Sequence, residues 1–226
     1  VPLVLRAKVA AKSGYGSQHS MDPSGLFTQF PGWRIVAPST PYDYVGLMNS
    51  ALLCEDPVLV VEHIDLYQSM GPAPAEDLDF FIQLGKAKVV RPGADFTVLT
   101  SLAMVGPCVE IADHADIDAE VIDLRTLDRA SLDWGTIGES IRKTNNVLIV
   151  EQGTQGTSFG GAIADELHRR FFDYLDQPVK RVVGGEAAPT ISKVLDLAAN
   201  ASDDDILAGY QDVLSDSGQL SVTAAE

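Results

Sequence analysis

The chain has 226 residues, 46% of them hydrophobic, and a formal net charge of −16, which suits one large domain or two small ones with a sizeable core. That charge argues against a nucleic-acid partner, whose phosphates need neutralising, and against docking on an anionic membrane surface. Cys54 and Cys108 lie in apolar contexts without metal-ligand spacing, which points to reduced core residues in a cytoplasmic protein, and no apolar run approaches the length of a membrane span.

Val1-Pro2-Leu3-Val4-Leu5 is a continuous apolar run of the kind that forms a parallel strand covered on both faces. A turn-rich stretch follows from Gly14 to Asp43 and carries His19 within Ser17-Gln18-His19-Ser20. Trp33–Val36 reads as a short strand, with a loop to Thr40 at its carboxyl end. Thr40 suits an N-cap, Pro41 the first helical position, and Asp43 the third position of a capping box. The helix so begun runs to about Leu53, with Val45, Met48, Ala51 and Leu52 at helical spacing, and Pro57–Glu62 is the next strand. Three strands and one helix make a poor parallel domain by themselves, so the first domain reads as incomplete here. Ser69 to Ala75, rich in proline and glycine, breaks the pattern and should be extended and exposed. The domain boundary falls between Tyr67 and Gly85.

The second half alternates strands with helices. Strands are expected at Asp95–Thr100, Ala119–Leu124, Asn145–Glu151 and Val179–Val183. Helices are expected up to about His114, from Leu132 to Lys143, from Phe159 to Tyr174, and from Ser202, where Asp205 repeats the capping-box spacing; the tail after Ser215 frays. Pro107 either opens the first of these helices or kinks it. The alternation implies an α/β fold of two domains, the second with a mostly parallel sheet.

In open α/β sheets, loops at the carboxyl ends of strands hold ligands, which makes His19 a candidate; a solvent-facing loop histidine fits the same pattern. The glycine-rich run from Glu151 to Gly161 could hold phosphate on free N–H groups, but it is neither a dinucleotide fingerprint nor a P-loop, and close helix-on-sheet packing is the better reason for its glycines. His114 and His168 read as surface residues. Glu62 and His63 end a buried strand and could reach a pocket, but adjacent strand residues face opposite sides and do not easily work as one unit.

The runs GSQHS, FPGWRIVAPSTPYD and EDPVLVVEH, the last followed by Leu66-Tyr67, resemble the beta subunit of the thiamine-dependent 2-oxo acid dehydrogenase decarboxylating component, of pyruvate, branched-chain or acetoin type. LGKAKVVRPG, AEVIDLRTLDRASLDWGTIGESIRKT, FGGAIADE and FFDYLDQPVKRV continue the resemblance in order to about Leu197. It implies a transketolase-like pyrimidine-binding domain over residues 1–67, a linker over 68–85, a transketolase C-terminal domain over 86–214 and a flexible tail over 215–226.

The family's cofactor, thiamine diphosphate, lies between this subunit and an alpha subunit that holds the diphosphate and magnesium. The resemblance makes His19 the histidine facing the cofactor's reactive end, with Gln18 beside it. It also implies a potassium ion on Ala51, Leu52, Cys54 and Asp56, largely through backbone carbonyls. Cys54 replaces a more usual acidic residue there. The implied assembly contains a second beta subunit and a lipoyl acyltransferase core. The family's pyrimidine-activating glutamate falls upstream of the segment matching Val1, so the 226 residues alone are expected to be inactive. That leaves two readings: an enzyme subunit of a 2-oxo acid dehydrogenase complex, or a non-catalytic transketolase-like assembly module.

Overall fold

The computed structural model describes residues 1–71, 78–154 and 158–216. β1 (Leu3–Val9) and β2 (Arg34–Val36) flank β3 (Pro57–His63) in a parallel sheet of order β1-β3-β2. Central β3 is buried along nearly its whole length, as its unbroken apolar run requires. β1 extends four residues past Leu5, where the apolar run ends, because Arg6 pairs with Glu62 of β3 and so keeps its place in the strand. The first strand is also an edge among the described residues, and Leu3 and Leu5 stay exposed, so the expectation of burial on both faces fails for it.

After two single turns, α1 (Ser17–Ser20) and α2 (Ser24–Phe27), α3 (Pro41–Leu53) begins at the expected capping box: Asp43 N–H donates to Thr40 Oγ1 at 3.1 Å, and Thr40 Oγ1 donates to the Asp43 carboxylate at 2.6 Å. Leu47 and Ala51 pack beneath it on Val36, Val58 and Val60. Residues 69–71 are exposed, and 72–75 of the expected extended stretch lie outside the described residues.

The second sheet has the order β4-β6-β5-β7-β8, built from β4 (Lys88–Arg91), β5 (Phe96–Thr100), β6 (Ala119–Asp123), β7 (Val147–Thr154) and β8 (Lys180–Gly184). Only β4 runs antiparallel. Its sequence, KVVR, is short and half charged, too little pattern to read as a strand. α4 (Val105–His114) and α8 (Asp203–Asp216) cover one face, where Cys108, Ile206 and Tyr210 pack on Phe96 and Val98. Pro107 sits in the first turn of α4, where no intrahelical bond is lost, so no kink is needed. Ser202 and Asp205 form the second capping box, with Asp205 N–H donating to Ser202 Oγ at 3.2 Å and Ser202 N–H to Asp205 at 2.8 Å.

α5 (Trp134–Thr144) and α6 (Gly160–Phe171) cover the other face through Ile137, Ile141, Ile163 and Leu167. That same core takes in Val9, Ile35, Leu59 and Val61, so the two sheets share apolar packing. After α6 a 3-10 turn, Phe172–Tyr174, replaces the last part of the longer helix read from sequence. His168, read from sequence as a surface residue, is half-buried on α6. Its Nδ1 donates to the Ala164 carbonyl at 2.7 Å and its Nε2 accepts from Val179 N–H at 3.5 Å. α7 (Lys193–Ala199) has no sequence signal, because Val194, Leu195 and Leu197 all face out and no apolar stripe marks an inner side.

Candidate active site

The carboxyl ends of β1 and β3 carry the two histidines of interest. Beyond β1 the backbone turns through left-handed conformations at Lys12, Gly14 and Gly16, with φ of 67°, 73° and 78°. It then closes into the single turn α1 (Ser17–Ser20). Ser20 N–H donates to the Gly16 carbonyl at 3.1 Å, and Ala10 N–H donates to the His19 carbonyl at 2.8 Å. Ser20 Oγ donates to the Ala10 carbonyl at 3.2 Å. The backbone of His19 is therefore tied to the end of β1 while its side chain, like that of Gln18, faces out. The imidazole meets only the edge of Tyr15, 6.4 Å between ring centres, and among the described residues neither ring nitrogen is engaged.

His63 is 2% exposed. Its Nδ1 accepts from Asp65 N–H at 3.2 Å, capping the 3-10 turn Ile64–Gln68. The neutral ring then carries its proton on Nε2, which lies 2.9 Å from the Gln152 amide of β7. The Gln152 carbonyl oxygen, otherwise without a partner, satisfies both groups when it faces the ring. Burial pushes the His63 pKa below the ordinary imidazole range; the Asp65 carboxylate opposes this and Lys12 adds to it.

Glu62 accepts from Arg6 Nε at 2.5 Å, Tyr67 at 2.7 Å and Tyr44 at 2.9 Å. Burial alone would raise its pKa, but these donors outweigh it and hold the carboxylate ionised below its usual range. Glu62 and His63 share no hydrogen bond, yet both line one cavity of about 590 Å3 together with Pro38, Thr40 and Leu66. Opposite strand faces thus reach a common space where the strand ends, which periodicity along the strand does not reveal.

Polar contacts join the domains beside this cavity. Arg125 of the second domain pairs with buried Asp43, Ser39 donates to Asp123 at 2.5 Å, and Ala37 N–H donates to the Arg125 carbonyl at 2.9 Å. Burial raises the Asp123 pKa to about 6, against hydrogen bonds from Ser39 and Arg125 N–H that lower it.

Ala51 lies in the last turn of α3, its carbonyl accepting from Cys54 N–H at 3.2 Å. Leu52 is exposed, Cys54 is half-buried, and the Asp56 carboxylate accepts from Arg34 at 3.0 Å. Oxygens available to a cation here are backbone carbonyls at a helix end. The start of α6 is already occupied by a carboxylate: Glu151 accepts from Gly160 N–H at 3.0 Å and from Arg181 at 2.8 Å. A Cβ on Gly160 would come 2.1 Å from the Glu151 carboxylate, so this glycine answers to packing; residues 155–157 of the glycine-rich turn lie outside the described residues.

Three groups that hold these loops went unseen in the sequence: Gln152, Arg125 and Asp196. Their partners stand 89, 82 and 182 residues away along the chain, with no local pattern to signal them.

Residues 1–70 match the transketolase pyrimidine-binding domain and residues 85–205 the transketolase C-terminal domain. The chain belongs to the transketolase family. Its fold also matches the structure titled "Split gene transketolase, inactive beta4 tetramer", with a TM-score of 0.72, 21% identity, and coverage of 94% of this chain and 66% of that one. Within the family it is similar in sequence to beta subunits of the pyruvate dehydrogenase E1 component. It is 35% identical over 212 residues to the mitochondrial subunit beta-2 of Oryza sativa subsp. japonica, covering 92% of this chain and 56% of the relative. With the Rickettsia felis subunit beta, identity is 34% over 215 residues, covering 94% and 65%. With the chloroplastic subunit beta-2 of Arabidopsis thaliana it is 37% over 182 residues, covering 79% and 44%. The chain therefore spans between 44% and 65% of the length of these relatives.

Proposed function

We propose that this chain supplies the beta-subunit share of a thiamine diphosphate-dependent 2-oxo acid dehydrogenase component. It would act in oxidative decarboxylation of a 2-oxo acid and transfer of the acyl group to lipoyl. The observation that carries this reading is His19: an exposed imidazole whose nitrogens are unengaged among the described residues, on a backbone fastened to a strand end. Such a group suits a reaction centre shared with another chain, because its ring can engage a ligand without first breaking a hydrogen bond. Gln18, exposed on the same turn, is placed to contact the same ligand.

Thiamine diphosphate, when bound, supplies the electron sink that decarboxylation needs. An alpha subunit would hold its diphosphate with magnesium, and Gln18 and His19 would contact the cofactor from this side. The carbonyls at the end of α3, with Asp56, offer hard oxygen ligands for potassium at Ala51, Leu52 and Cys54. The working assembly pairs two alpha with two beta chains and delivers acyl groups to a lipoyl acyltransferase core.

The test uses the complete beta subunit paired with its alpha subunit. His19→Ala should lower single-turnover acylation of lipoyl roughly a hundredfold, while melting stays within about 0.5 kcal/mol of wild type. An unchanged acylation rate would instead favour the non-catalytic assembly module.

A further inference from the structure

The geometry points to Asp196, in the C-terminal domain, as a positioning residue for His19, acting through the Gly14 turn. This inference rests on the reading of His19 as a group at the reaction centre.

Asp196 is fully buried although it sits in the seven-residue helix α7, whose apolar side chains mostly face out. A buried carboxylate needs hydrogen bonds to offset its lost hydration. Among the described residues no cation pairs with it. One oxygen, Oδ2, accepts from the backbone N–H of Gly14, 182 residues earlier and in the other domain, at 2.9 Å. The other accepts from Asn200 Nδ2 at 3.3 Å, and the same amide donates to the Asp196 carbonyl at 2.6 Å, which fixes the base of the carboxylate. Asp196 thus reaches out of its own helix to a backbone donor five residues before His19.

The turn it holds accepts only glycine at the contact. Gly14 has φ 73°, and a Cβ there would lie 2.9 Å from the Ile191 carbonyl. Gly16, two residues on, has φ 78°, and its carbonyl receives both His19 N–H at 3.2 Å and Ser20 N–H at 3.1 Å. Displacement at Gly14 therefore passes through Gly16 to the turn that carries the imidazole. The turn carrying His19 is tied to the end of β1 by the His19 carbonyl and Ser20 Oγ on Ala10, and to the C-terminal domain by the Gly14 amide on Asp196. Releasing the second tie leaves the ring free to pivot about the first. A displacement of about 1 Å at a reacting group can cost about a hundredfold in rate. The histidine comes from one domain and its clamp from the other, so its placement depends on how the two domains seat together.

The test compares Asp196→Ala with Asp196→Asn, which keeps an acceptor oxygen. In the 226-residue chain, Asp196→Ala should make the Gly14 amide exchange about tenfold faster. It should also weaken the Tyr15–His19 ring cross-peak in NMR spectra, and Asp196→Asn should restore most of both. In the complete assembly, Asp196→Ala should lower kcat for lipoyl acylation about tenfold with little change in KM, again with rescue by asparagine. A folded Asp196→Ala chain with wild-type Gly14 exchange and an unchanged ring cross-peak overturns the proposal. If the alanine variant does not fold, Asp196→Asn decides: loss of the carboxylate charge should move the Gly14 amide resonance, and a resonance that stays in place overturns the proposal. If both NMR readouts move while acylation does not, Asp196 does position His19, and the reading of His19 as a reacting group fails instead.

Discussion

His19 and His63 belong to adjoining strand ends of one sheet. β1 and β3 lie side by side with Val9 opposite His63, and the residue after Val9 hydrogen-bonds the His19 carbonyl. Among the described residues one ring is exposed with neither nitrogen engaged, and the other is buried with both engaged. The strands do not decide this difference. The chain that covers each end does: glycine turns throw His19 outward, while Asp65 and Gln152 close over His63. Residue type and sheet position nominate a histidine for chemistry, and its hydrogen-bond commitments decide whether it is available.

The largest expected effect falls on the committed side. Arg125→Met removes the partner of buried Asp43 beside the β3 cavity, and stranding that carboxylate should cost about 3–5 kcal/mol in urea unfolding. A loss under about 1 kcal/mol would mean that the pair is solvated and that the β3 end is no more committed than the β1 end. Pairing it with Asp43→Asn should recover much of the loss, because the uncompensated charge is then gone.

His63 should come next. His63→Ala leaves Asp65 N–H and Gln152 without partners, at about 1–3 kcal/mol. His63→Asn, which can still cap the 3-10 turn, should lose less. The pH dependence separates two buried groups of opposite sign. His63 has a folded pKa below its ordinary 6.5, so the unfolded chain takes the proton first and the contribution of this group is lost as pH falls below 6.5. Asp123 has a folded pKa raised from 3.8 to about 6, so the native state keeps its proton longer. Its contribution is full below 3.8 and is lost as pH rises through 6. Between pH 7 and pH 5 the slopes of these two groups oppose in the wild type. His63→Asn removes the opposing slope, so on acidification from pH 7 to pH 5 it should gain more stability, or lose less, than wild type. Equal slopes in the two proteins would remove His63 as the opposing group.

Local chemistry made much of the fold legible. Thr40 with Asp43 and Ser202 with Asp205 mark helix starts, Pro107 sits where a proline costs nothing, and the unbroken PVLVVE run marks a strand buried on both faces. β4 and α7 escaped because an edge strand of four residues and a helix with its apolar side outward carry no periodicity. Of the site, His19 and Gln18 could be nominated through the quoted family runs. What holds or commits the loops could not, because Asp196–Gly14, Gln152–His63 and Arg125–Asp43 are each a contact between the two domains.

The contrast between a free and a committed histidine is tested most directly by histidine modification of the folded 226-residue chain. Diethyl pyrocarbonate would be applied at neutral pH, with mass spectrometry reading His19, His63, His114 and His168 separately. His19 should react at a rate comparable to exposed His114, and His63 should stay unmodified until the chain unfolds. Modification of His63 as fast as His19 in the folded chain would contradict that contrast.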